Sequence, residues 1–107
     1  MKKIIIAALV ATLLGCTSAS PKQYYRPAGA EQQVEVYGRF DQISFEHQVL
    51  INGNVVIDGQ LSYNYDDGHF SGQYDGMTVT SDCKWKLKKD LICLVKINDE
   101  MAATLTF

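Results

Sequence analysis

A chain of 107 residues has room for one domain, and its 10 basic against 12 acidic side chains give a formal charge of −2. That balance makes nucleic acid a poor partner, since a basic footprint is expected of a protein that binds it.

The first residues read Met1-Lys2-Lys3, then an apolar run from Ile4 to Leu14, then Gly15-Cys16. A basic start, about ten apolar residues and a small residue form the pattern of a secretory signal. The run is too short to span a bilayer, which takes about twenty apolar residues. It also lacks the polar face expected of a helix packed into the folded domain. No second stretch of comparable length follows.

Leu13-Leu14-Gly15-Cys16 resembles the lipobox of bacterial lipoproteins, with Leu three positions before the Cys and a small residue just before it. The resemblance covers only residues 1–16, and it departs from the family pattern at Leu14, where a smaller or β-branched residue is usual. It implies that residues 1–15 are a signal peptide cut between Gly15 and Cys16. It further implies a diacylglycerol on the Cys16 thiol and, in many species, a fatty acid such as palmitate on the freed amine. Thr17, rather than Asp, after the Cys implies passage to the outer membrane where the cell has one. Two or more acyl chains hold a protein stably, at roughly 0.8 kcal/mol per buried methylene. The expected partners are thus the membrane, through this lipid, and an envelope protein or glycan. Apart from the covalent lipid, no cofactor and no metal are expected.

Loss of Lys2 and Lys3 with the signal takes the formal charge from −2 to −4. Such a domain fits a body kept clear of an anionic membrane surface. The cysteine count changes too, since with Cys16 lipidated only Cys83 and Cys93 remain. In an oxidising compartment such a pair reads as a disulfide. Free buried thiols and a metal site are the alternatives, but His47 and His69 have no Cys or second His nearby in sequence.

Residues 16–33 are small and polar, contain two prolines and show no apolar periodicity, so a flexible tether is expected there. From Val34 the pattern switches to period two, dense in Val, Ile, Tyr, Phe and Thr, and no capped amphipathic helix follows. Residues 34–107 are therefore expected to form an all-β domain, a small antiparallel β-sandwich or a partly open β-barrel. Asn52-Gly53 between two β-rich runs is the strongest hairpin signal, because a type I′ turn needs two residues that accept positive φ. Asp58-Gly59, Asp67-Gly68, Asp75-Gly76 and Asn98-Asp99 are further turn signals. Strands are expected near 34–45, 47–51, 55–65, 69–74, 77–87, 91–97 and 101–107. The run Leu91 to Val95 is apolar on both parities, which predicts a strand covered on both faces.

On the strand before it, Cys83, Trp85 and Leu87 share one face and Lys84, Lys86 and Lys88 the other. A hairpin through Leu87-Lys88-Lys89 would set Cys83 opposite Cys93 and Trp85 opposite Leu91. The run Val49-Leu50-Ile51-Asn52-Gly53 also echoes Val95-Lys96-Ile97-Asn98-Asp99, as two hairpins of the same chemistry would.

Residues 63–76 are the richest in functional groups. Asp66-Asp67-Gly68 lacks the alternating oxygens and closing Glu of a calcium loop, so turn chemistry explains it better. Tyr63, Tyr65, Asp66, Phe70 and Tyr74, with Lys84 and Lys86, form a candidate binding surface, although aromatics at such positions also pack across sheets. His69, Ser71 and Asp67 alternate along one strand instead of converging, no Gly-x-Ser-x-Gly is present, and His47 reads as a surface residue near a turn. The expectation is a non-enzymatic envelope lipoprotein that binds another envelope component. An inhibitor of a cell-wall-degrading enzyme, of the lysozyme-inhibitor kind, and a glycan-binding module are the alternatives.

Overall fold

Period-two alternation resolves into nine strands and no helix across residues 17–107, the part of the chain that the computed structural model describes. The signal segment, its cleavage point at Gly15 and the lipid-bearing Cys16 lie outside these residues. The strands are β1 (Thr17–Ala19), β2 (Gln23–Tyr25), β3 (Val34–Asp41), β4 (Glu46–Ile51), β5 (Asn54–Gln60), β6 (Gly68–Tyr74), β7 (Met77–Lys86), β8 (Asp90–Ile97) and β9 (Glu100–Thr106).

Two antiparallel sheets pack face to face. One is the meander β3-β4-β5 with β1 and β2 both paired to the free side of β3; the other is β6-β7-β8-β9. Alternate residues of each strand turn inward: Val34, Val36 and Phe40, then Val49 and Ile51, then Val79 and Cys83, then Leu91, Cys93, Val95 and Ile97. Each fully buried aliphatic side chain of this set contributes roughly 1.5–3 kcal/mol of transfer free energy. The result is a β-sandwich and not a closed barrel.

The sequence echo is a repeated geometry. In both β4 and β8 the register slips by one residue, between Val49 and Leu50 and between Val95 and Lys96. In both, the following Asn ties the turn to the preceding strand. Asn52 Oδ1 accepts from Glu35 N at 2.9 Å, and Asn98 Oδ1 accepts from Thr78 N at 3.0 Å. Asn52-Gly53, Asp75-Gly76 and Asn98-Asp99 all have positive φ at both residues, as type I′ hairpins require.

Several expectations are corrected. Residues 17–33 are not a free leash, because β1 pairs Thr17 with Asp41 and β2 pairs Tyr25 with Val34. The polar composition that reads as a tether suits an edge strand equally well. Gln23 shows why, since its side-chain amide bonds both Thr104 O (2.5 Å) and Thr104 N (3.1 Å), covering the outer edge of β9. Asp58-Gly59 is not a turn but lies inside β5, where Gly59 makes room for a ring: a Cβ there would collide with Phe70. The expected strands 34–45 and 55–65 stop early, at Asp41 and Gln60, because 42–45 and 61–67 form loops. Finally, β8 is covered on one face only. Ile92 and Leu94 turn outward, and Leu94 is 39% exposed.

The sandwich therefore has two unlike ends. One carries the tight polar turns at 52–53, 75–76 and 98–99. The other carries the loops 42–45 and 61–67, the 87–89 connection and Phe107.

At the latter end β7 and β8 join through Leu87 and Lys88, both at positive φ (56° and 54°), with Lys89 N donating to Lys86 O. Left-handed backbone costs a non-glycine residue about 1–2 kcal/mol. Replacing Leu87 by Asn and Lys88 by Gly, the residues this turn favours, is expected to raise the unfolding free energy by about 1–2 kcal/mol. Chemical denaturation measures it.

Candidate functional site

The loop end is assembled around Phe45. Asp41 Oδ1 accepts from Ile43 N (2.8 Å) and Ser44 N (3.0 Å), and these bonds hold its carboxyl below the usual aspartate range. The same clamp delivers Phe45 at φ 60°, its ring 5.3 Å from Phe40, 5.0 Å from Tyr63 and 5.6 Å from Trp85. Loop 61–67 is hung from the buried Leu61, whose N–H donates to Phe45 O at 2.8 Å. Its Tyr63 hydroxyl donates to Ser44 O (3.0 Å), and Tyr65, at φ 64°, stands edge-on to Trp85 at 5.0 Å.

Phe40, Phe45, Tyr65 and Trp85 among these rings line an open cleft of about 330 Å³. Phe40, Phe45, Trp85, Leu91 and Phe107 form its apolar part, and the exposed Gln42, Tyr65, Lys88 and Lys89 complete it. Trp85 reaches this place because it follows Cys83 on the inward parity of β7 as the sandwich opens. Its indole Nε1 is buried and has no hydrogen-bond acceptor among the described residues. An unmade buried donor costs about 1–3 kcal/mol.

A second cluster lies deeper. His47, expected at the surface, is fully buried, because β4 turns His47, Val49 and Ile51 to the same inward face. Its Nδ1 lies 3.2 Å from Arg39 O, so that nitrogen carries the proton, and Nε2 accepts from Ser81 Oγ at 3.0 Å. Phe70 and Phe107 pack on the ring at 5.6 and 5.8 Å. Burial pushes the imidazole's pKa down, against a smaller opposing effect of the bond to Arg39.

A serine bonded to a histidine has the form of a nucleophile and its base. Here both side chains are sealed at 0% exposure, so no substrate reaches Ser81. Cys83 and Cys93 lie directly opposite each other and are joined as a disulfide, with Trp85 opposite Leu91 as the register arithmetic predicts. His47 and the two sulfurs sit within 4.8 Å of one another, but sulfur in a disulfide is not the thiolate a metal requires.

The seven residues expected to form one binding surface are dispersed. Tyr63 and Tyr65 reach the cleft end, and Asp66 shares their loop, accepting from Ser62 Oγ at 3.1 Å. Phe70 is partly buried over Gly59 against His47. Tyr74 lies at the opposite end, its hydroxyl accepting from Asn52 at 3.1 Å. Lys84 lies on the outer face beside Ile92 and Leu94, and Lys86 stands at the base of the 87–89 turn. Phe40, Phe45, Trp85 and Phe107 were legible as strand hydrophobics, but no local signal brings them to one cleft.

Comparison with family models, with characterised proteins and with solved structures finds no match to this chain.

Proposed function

We propose that the protein is a lipid-anchored lipoprotein of the bacterial cell envelope acting as a non-enzymatic binding module, with the loop-end cleft as its ligand seat. The cleft carries this reading, since it sets clustered aromatic rings beside two lysines. Ring walls offer apolar and stacking area, Lys88 and Lys89 offer positive charge, and Gln42 offers an amide. The ligand class that fits has a flat or apolar face and an acidic or acceptor group. The sealed His47–Ser81 pair is better explained as a core hydrogen bond than as catalytic machinery. A glycan is the reading that the exposed rings of Tyr63 and Tyr65 favour.

Trp85 is the single tryptophan and reports directly on the cleft. Titration of the mature protein with peptidoglycan fragments and with acidic glycans is expected to shift its emission, and Tyr65→Ala to weaken binding by up to about tenfold. Silence across the panel removes the glycan. The anchor is read separately: membrane-fraction protein should begin at Cys16 with a lipid adduct by intact mass, and Cys16→Ser should abolish it. Protein retaining Met1 and free of lipid overturns the reading.

A further inference from the structure

We infer that the loop end of the sandwich rests on the bilayer through its 43 and 87 tips, so that the cleft beside them meets its ligand at the surface of the membrane carrying it. The inference rests on the anchor reading above and deepens it. Its first support is where the chain enters the domain. Thr17, the residue after Cys16, is paired with Asp41, and Ser18 Oγ accepts from Gln42 at 3.1 Å. A lipid on Cys16 is therefore attached at the loop end with no intervening leash, two residues along β3's exit from Ile43.

The second support is the contrast between the ends. The far end shows water Asn-Gly, Asp-Gly and Asn-Asp turns at its tips, with the exposed Val55 (51%) and Met101 (48%) set back on β5 and β9. The loop end shows it Ile43 (70% exposed), Leu87 (89%), Tyr63 and Tyr65. Aliphatic tips with tyrosines and a tryptophan behind them match the layering of a headgroup region, apolar outermost and amphipathic rings next.

The third support is the tip itself. Leu87 projects from a left-handed turn that Asn would occupy more comfortably, flanked by Lys86, Lys88 and Lys89. An apolar residue held out at a conformational cost between cations suits insertion between phosphate-bearing headgroups. Asp41, Glu46, Asp66, Asp67 and Asp90 also belong to this end, so the attraction is local to the 86–89 tip and does not extend over the whole face.

The test is hydrogen exchange on the full mature lipoprotein in vesicles of phosphatidylethanolamine and phosphatidylglycerol, compared with the same protein in detergent. Amides of 42–45 and 86–89 are expected to exchange roughly tenfold more slowly in vesicles, with those of 52–53, 75–76 and 98–99 unchanged. The double variant Ile43→Asn, Leu87→Asn should lose that protection while keeping its lipid and a melting temperature no lower than the parent's. Equal exchange at both ends in protein shown by mass to be lipidated overturns the docking and leaves the anchor standing. Absence of lipid on Cys16 removes the anchor and the docking together.

Discussion

Replacing Cys83 and Cys93 together by Ala is expected to lower the melting temperature by roughly 10–20 °C. The bridge closes a loop of separation 10, for which restricting the unfolded chain is worth roughly 3 kcal/mol. Both sulfurs are also buried at the centre of the second sheet, against Ser81 and His47, so their removal leaves an apolar gap. A domain of this size has little reserve, commonly about 3–5 kcal/mol from its core. Thermal unfolding followed by circular dichroism, with and without reductant, measures the loss. A variant melting within a degree or two of the parent would show that the hairpin register, not the covalent bond, holds β7 to β8.

The second large effect belongs to His47. His47→Leu is expected to destabilise by about 2 kcal/mol, because Ser81 Oγ and Arg39 O lose their partner while the space stays filled. Adding Ser81→Ala should recover part of this, and the shortfall from additivity reads the coupling of the pair.

The pH dependence has a definite sign. Burial holds the imidazole's pKa in the folded state below the ordinary histidine value of about 6.5. The unfolded chain therefore takes up a proton that the folded one refuses. The native protein keeps its full stability above that pH and loses it as the pH falls below, by at most about 1.4 kcal/mol per unit. His47→Leu should abolish this slope between about pH 6.5 and 5. Unfolding midpoints in urea at four or five pH values decide it. An unchanged slope would overturn the assignment to His47.

His47 also shows why the site was less legible than the fold. Flanked by Glu46 and Gln48, it looks like part of a polar stretch, yet period two puts it on the parity of Val49 and Ile51. Its partners Ser81 and Phe107 are 34 and 60 positions away, and nothing local announces them. The tether is the converse case. Its composition shows only that the segment is polar, and polar segments also make edge strands once a neighbour with free backbone groups is present, as β3 is for β1 and β2.

What the sequence by itself determined was everything that local chemistry decides. Alternation placed seven of the nine strands, and Asn-Gly, Asp-Gly and Asn-Asp pairs set three hairpin turns through their tolerance of positive φ. Once those turns are placed, the hairpin count brings Cys83 to Cys93. The tertiary structure alone decided which loops share an end, that Gly59 is a seat for Phe70, that His47 is sealed, and that Phe40, Phe45, Trp85 and Phe107 enclose one cleft. The reason is physical: turn type and strand parity depend on neighbours a few residues apart, whereas the packing of one sheet on another joins residues that only the completed fold makes adjacent.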